Sequence, residues 1–506
     1  MFAQVLGQTT KGIDGEMILV EADVSNGLPN FDLVGLPAMA VRESKERVKA
    51  ALRNSDYPFP MTKITVNLAP ADLRKEGSGL DLPIAIGLLC CARIIKQEKL
   101  NGKVFVGELS LDGCIRKVSG VLSMIIDAKR CGAKEIFIPQ ANAAEGKLIH
   151  GIDVYTAATL TEIVEHLLDN KKLIPLPKEN IMQNKQRIYH VDFADVKGQL
   201  VARRALEIAA AGGHSILMVG APGCGKTMLA RRLVTILPPM TESEALEVTK
   251  IYSIVGMLSQ TDSIMLERPF RSPHHSVSGS ALLGGGSTPR PGEVTLSHNG
   301  VLFLDELPEF DRATLEMLRQ PLEDGEVSIS RVRGNMTFPS RIILVAAANP
   351  CPCGFLGDSR HICSCKQRDI DNYRRKISGP LLDRIDMQIN LARVEFGDLK
   401  NKTAGESSDV IRQRVVKARE IQQRRLEPWG MHCNAQMGRS EVVKYCSLDD
   451  KAQAVLEKYF NILNLSARSH DRILKVARTI ADLAGCENIQ ASHIAEAVTL
   501  RTSTGR

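Results

Sequence analysis

Ser215-Ile-Leu-Met-Val219, then Gly220-Ala221-Pro222-Gly223-Cys224-Gly225-Lys226-Thr227, then Met228-Leu-Ala-Arg-Arg-Leu-Val234 reads as a strand, a glycine-rich loop and a helix. Glycines let successive backbone N–H groups turn inward, and the helix N-terminus adds partial positive charge, so the loop is shaped to cradle phosphates. The residue types then divide the work. Lys226 is placed to reach the β- and γ-phosphates of a nucleotide, and the Thr227 hydroxyl to ligate Mg²⁺. A glycine-rich turn can match this spacing by chance, so the flanks and a second motif have to decide.

The second motif is Val301-Leu-Phe-Leu-Asp305-Glu306, preceded by the turn-forming His298-Asn299-Gly300. Four apolar residues between turn signals predict a buried parallel strand. Two carboxylates at the end of such a strand are ordinary by themselves. Downstream of a phosphate loop they take separate roles: Asp305 completes the Mg²⁺ shell, and Glu306 orients and deprotonates an attacking water. Together the motifs predict ATP binding and hydrolysis.

A chain of 506 residues exceeds one hydrophobic core. Its 44% apolar and 24% charged residues are those of a globular protein. Aromatics make up only 4%, which argues against recognition of bases by stacking. The net charge of +7 permits a nucleic-acid partner without requiring one. No apolar run is long enough to span a membrane, and the N-terminus lacks the pattern of a signal peptide, so a cytoplasmic location is expected. In that compartment the 12 cysteines are not a disulfide framework.

Strand-like and helical stretches alternate over residues 1–168, and residues 82–91 are apolar nearly all round, predicting a buried helix. Residues 169–188 are polar and proline-bearing, as in a linker. Residues 189–395 carry the nucleotide motifs in an alternation that predicts a parallel α/β sheet, and residues 405–506 read as a helical lid.

These motifs resemble those of AAA+ ATPases, and more narrowly the Mg-chelatase-like AAA+ proteins of the ComM type. The resemblance is carried by Arg271-Ser-Pro-His-His275, Gly284-Gly-Gly286, residues 290–300, Leu381-Leu-Asp-Arg-Ile-Asp386, and the stretch from Ser466-Ala-Arg468 to Asp482. It covers nearly the whole chain. The resemblance implies a hexameric ring with ATP between subunits, Asn349 as the sensor 1 residue, Arg384 as the arginine finger and Arg468 as the sensor 2 arginine coupling the lid to nucleotide. Arg472 and Arg478 stand close enough in sequence to compete for the last role.

The first domain is similar to the proteolytic domain of Lon over Val106 to Pro139. In the Lon pattern a serine nucleophile follows a Lys-Asp-Gly-Pro run. Here Lys75-Glu-Gly-Ser-Gly-Leu80 places Gly79 at that point, Ser78 one position early, and Leu122 where the lysine base belongs. The similarity thus implies a Lon-like α+β domain without the catalytic Ser/Lys pair. By analogy with inactive Lon-like domains on branch-migration proteins, it implies a DNA-binding or ring-forming platform.

Cys351-Pro-Cys353 and Cys363-Ser-Cys365 form C-x-C-x₉-C-x-C, a set that suits a tetrahedral structural Zn²⁺; the alternative is four ordinary loop thiols. Residues 325–338 alternate apolar and polar residues about Gly334-Asn335, predicting a hairpin with Arg331 and Arg333 at or near its tip. In the AAA+ clade containing the MCM helicases a hairpin at this place grips the DNA backbone. Such a grip is sequence-independent and salt-sensitive. The plainer alternative is an exposed edge kept soluble by charge. The basic stretch 411–425 reads as a solvated lid helix, and His274 and His275 as residues shaping the insert before Gly284.

The expectation is therefore an ATP-driven hexameric DNA motor, a branch-migration helicase of natural transformation. Its rivals are a chelatase-type motor and a nucleotide-switched adaptor or chaperone.

Overall fold

The computed structural model describes residues 1–75, 77–179, 189–258, 264–286, 289–331, 334–358, 360–393, 405–463 and 465–502. They divide into two compact units: Met1–Lys185 with Thr241–Met265, and Gln186–Met240 with Leu266–Arg506.

The first unit is built on a seven-stranded mixed sheet in the order Asn30–Val34, Lys63–Ala69, Asp14–Ser25, Phe2–Lys11, Lys103–Phe105, Glu135–Pro139, Asp153–Ala157. Phe2–Lys11 and Asp14–Ser25 form a long antiparallel pair, whereas the strands from residue 103 onward run parallel. The apolar stretch expected to be a buried helix is one: Asp81–Cys91, with every residue from Asp81 to Leu89 buried. The only charged side chain among these, Asp81, is satisfied by Ser44 and by Arg47, whose Nε lies 2.6 Å away.

Two boundaries differ from those expected. Residues 171–179 run along the first unit, with Leu176 N donating to Val154 O at 2.8 Å and Glu179 N to Lys147 O at 3.0 Å. The helix Glu242–Ile254, assigned by sequence to the nucleotide domain, belongs to the first unit. A capping box of Thr241 and Glu244 starts it. At its far end, Ser253 Oγ donates to the buried carboxylate of Glu145 at 2.5 Å, and Ser253 O accepts from Gly120 N at 3.1 Å.

The second unit holds a five-stranded sheet, all parallel, in the order Phe270–Arg271, Val301–Leu304, Ile343–Ala348, Ile216–Gly220, Met387–Leu391. The first of these in sequence, Ile216–Gly220, lies between the last two, so its carboxyl end opens at the point where the strand order reverses. Open α/β sheets bind ligands there. Val301–Leu304 is buried throughout, as its apolar run predicts. The C-terminal part is helical: Ser408–Leu426, Arg439–Tyr445, Asp450–Leu463, Ala467–Leu483 and Ala491–Thr502. In Ser408–Leu426 the apolar stripe Ile411, Val415 and Ala418 is buried. Two of its arginines are less solvated than expected: Arg419 is buried against the carbonyls of Ala210 and Ala211, and Arg425 pairs with buried Asp482.

Glu326–Arg331 and Gly334–Pro339 form the expected antiparallel hairpin, but Gly334 and Asn335 belong to the returning strand rather than the turn. Register decides this. Val327 opposite Phe338 and Ile329 opposite Met336 put the apolar residues on one face, and Val327, Ile329 and Phe338 are buried. Arg333 and the Arg331 side chain lie outside the described residues.

Candidate functional site

The phosphate loop leaves the strand at Gly220, where a side chain would stand 2.7 Å from Cys224 Sγ and 2.9 Å from Leu391 O. Gly223 and Gly225 take φ of 78° and 96°, backbone that glycine adopts without strain. Gly225 is the N-cap of the helix Lys226–Ile236 and has no side chain to cap it, so the first-turn amides face the loop.

Lys226 Nζ donates to Gly220 O at 2.6 Å, Ala221 O at 3.1 Å and Asn349 Oδ1 at 3.1 Å. Burial lowers its pKa from the ordinary lysine value, while Cys224, Asp305 and Glu306 act in the opposite direction. Thr227 Oγ1 donates to Asp305 Oδ2 at 2.7 Å, and Glu306 N to Asp305 Oδ1 at 2.9 Å. Lys226, Thr227, Asp305 and Asn349 therefore converge on one loop although they come from three different strand ends.

A hydroxyl and a carboxylate oxygen 2.7 Å apart lie close to the spacing of two adjacent corners of an octahedral Mg²⁺ shell, whose edge is about 3.0 Å for bonds of about 2.1 Å. With the loop amides and Lys226 beside them, the donor set fits Mg²⁺-ATP. When bound, the ion supplies Lewis-acid stabilisation of charge on the phosphates.

Glu306 is half exposed and sits at φ 52°, a left-handed backbone unusual for a side-chain-bearing residue and a common mark of functional strain. His275 Nδ1 lies 3.7 Å from its Oε2. Sequence reasoning gave His275 only a shaping role. The pairing follows from the parallel register of Phe270–Arg271 on Val301–Leu304, which brings the segment after one strand alongside the segment after the other.

Arg384 and Arg468 gather elsewhere. Arg384 is buried and donates through Nε to Glu323 Oε2 at 3.0 Å and through a terminal nitrogen to Pro380 O at 3.0 Å. Exposed Arg468 donates to the other oxygen of Glu323 at 3.4 Å. Among the described residues neither is bonded to the phosphate loop, Asp305, Glu306 or Asn349. Of the two competing arginines, Arg472 pairs with Asp386, which also accepts from Ser215 N at 3.2 Å, and Arg478 is buried on Asp482.

The four loop cysteines do come together. Cys351 Sγ is 3.4 Å from Cys353 Sγ and 3.7 Å from Cys363 Sγ, the last two are 3.6 Å apart, and Cys353 N donates to Cys365 Sγ at 3.4 Å. All four sulfurs lie within 4.8 Å of one another. A zinc tetrahedron with bonds of about 2.3 Å has an edge of about 3.8 Å, so the donor set fits Zn²⁺. The Phe355 amide helps hold the Cys353 thiol down at about 6, favouring thiolate. His361 stands apart, stacked on Phe355 and bonded to Arg393. The loop also braces the phosphate site: a side chain on Gly354 would stand 2.7 Å from the Pro222 ring.

In the first unit, a side chain on Gly79 would contact Val118 at 3.4 Å and Val106 at 3.6 Å, and Leu122 is buried. Ser78 is bonded to the Glu108 carboxylate.

Residues 192–399 match the family described as magnesium chelatase, subunit ChlI; residues 20–142 match subunit ChlI of Mg-chelatase, and residues 405–501 its C-terminal part. Competence protein ComM of Haemophilus influenzae is 44% identical over 503 residues, covering 99% of this chain and 97% of its own. YifB of Salmonella typhimurium is 43% identical over 491 residues, covering 97% and 95%. Lon protease 2 of Bacillus subtilis is 27% identical over 151 residues, 28% of this chain and 27% of its own. With matches of this length laid over a parallel P-loop sheet and its helical lid, the chain belongs to the ComM/YifB family of Mg-chelatase-like AAA+ proteins.

Proposed function

We propose that the chain is an ATPase that works as a hexameric DNA motor, driving branch migration during recombination in natural transformation. The observation that carries the ATPase is the convergence of Lys226, Thr227, Asp305 and Asn349 on residues 220–227. In this reading Lys226 and the loop bind phosphates, Thr227 and Asp305 hold Mg²⁺, Asn349 positions the water and Glu306 takes its proton. Arg384 and Arg468, bonded to Glu323 and not to their own loop, act on the nucleotide of a neighbouring subunit. Such an arrangement makes turnover depend on assembly.

The motor reading draws on the competence name of the Haemophilus relative and on the hairpin, which would bring Arg331 and Arg333 to DNA phosphates. No helix among the described residues is long and apolar enough to cross a membrane. The first unit, with Gly79 and Leu122 in the protease positions, is a platform rather than a protease. The chelatase descriptions favour a second reading, a motor that remodels a protein partner.

Steady-state ATPase measured with and without single-stranded, duplex and four-way-junction DNA, at two salt concentrations, separates the two. Stimulation that fades with salt is expected. Hydrolysis indifferent to every DNA would favour the protein partner.

We assign the four cysteines to a structural Zn²⁺. Elemental analysis of the purified protein is expected to give about one zinc per chain, falling at least severalfold in Cys363→Ser. Full zinc content in that variant would remove the assignment.

A further inference from the structure

Glu323 has no part in the nucleotide chemistry above, yet it holds both arginines. One carboxylate oxygen accepts from Arg384 and the other from Arg468, residues 61 and 145 positions away. Held between these cations, with Arg384 the main cause, its pKa is lowered from the ordinary glutamate value. Glu323 belongs to the short helix Arg319–Asp324, which ends at Gly325 in left-handed backbone of φ 69° and runs straight into the hairpin strand Glu326–Arg331. Ser340 N donates to Gly325 O at 2.7 Å, tying the returning strand to the same point. One side chain thus connects two cations to the base of the hairpin.

We propose that Glu323 is a positioning residue that couples Arg384 and Arg468 to the hairpin, so that their engagement with a neighbour's phosphates is transmitted to the element that contacts DNA. This rests on the motor reading given above. A triphosphate competes with the carboxylate for the same guanidinium hydrogens. As the arginines turn to it, Glu323 loses its partners and the short helix is freed to shift about Gly325. Neither arginine needs to touch the hairpin. The lid helix Ala467–Leu483 takes part because it carries Arg468.

The test compares ATPase rates of the unsubstituted protein and Glu323→Gln, with and without saturating single-stranded DNA, together with KM for ATP. The amide keeps the shape but loses the charge that holds two guanidiniums. The ratio of DNA-stimulated to basal rate is expected to fall at least fivefold, while KM changes less than twofold. A residue that merely braces the fold would lower both rates together and leave the ratio intact, which would overturn the proposal, as would rates identical to the unsubstituted protein. Should the Gln variant fail to fold, Glu323→Asp is measured in the same way. Its arm is too short to bridge both arginines, so the ratio is again expected to fall; a full ratio overturns the proposal. If DNA stimulates nothing in the unsubstituted protein, the motor reading fails first and this coupling with it. If stimulation is normal there and survives in both variants, only the coupling fails.

Discussion

Glu306→Gln is expected to bind ATP normally and to turn it over at least a hundredfold more slowly. The amide preserves the volume of the side chain and leaves Thr227, Asp305 and Lys226, the residues proposed to hold phosphate and Mg²⁺, in place. It cannot take a proton from water at neutral pH. General bases of this kind contribute about 10²–10⁴ in rate. Equilibrium binding of a fluorescent ATP analogue, followed by single-turnover hydrolysis, separates the two effects. Loss of binding along with rate would mean that Glu306 belongs to the metal shell, and hydrolysis at the normal rate would remove it from the chemistry. Glu306, at a left-handed φ of 52°, has its carboxylate 3.7 Å from His275, whereas Asp305 accepts from Thr227.

Arg384→Ala is expected to lower turnover by about 10³ with ATP binding retained, the scale of an arginine that stabilises charge on the transferred phosphoryl group. The logic differs from that of Glu306, since Arg384 makes no bond to its own phosphate loop and is held instead by Glu323 and Pro380. If it acts across a subunit boundary, mixing Arg384→Ala with Glu306→Gln, each inactive alone, should restore activity, because a boundary that pairs the intact Glu306 of the first with the intact Arg384 of the second is complete. Normal turnover by the purified Arg384→Ala protein, or a mixture that assembles and stays as inactive as its parts, would sink the assignment.

The parts of the site legible in the sequence are those whose chemistry is local. Gly223, Gly225, Lys226 and Thr227 are neighbours in the chain, and their spacing follows from backbone geometry around a phosphate. The run Val301–Leu304 is legible because a strand buried on both faces must be apolar throughout. The cysteine pairs are legible because thiols so close in sequence can meet around one point without the rest of the fold.

Where long-range packing decides, the sequence is silent. Nothing local marks Glu323 as the shared partner of Arg384 and Arg468, or His275 as the neighbour of Glu306. Gly334-Asn335 looks like a turn by residue type, but the observed register pairs Val327 with Phe338 and Ile329 with Met336, apolar directly opposite apolar, and leaves both residues in the strand. The helix Glu242–Ile254 has a readable start and a buried face, yet amphipathicity says that a helix packs and not on which unit.

That helix also sets an order of events during synthesis. The first unit is completed by Thr241–Met265, so it cannot finish folding when its own first 185 residues have left the ribosome. At about 5–20 residues per second, the stretch from Lys185 to Met265 takes about 4–16 seconds. During it the Glu145 carboxylate waits without Ser253, and the surface of the helix Val121–Arg130 that receives the late segment is bare. The strand Ile216–Gly220 and the phosphate loop emerge inside this interval. The two units are therefore interleaved in time as well as in sequence, and a nascent chain stalled between residues 185 and 241 would display an unfinished first unit to the cell's chaperones and proteases.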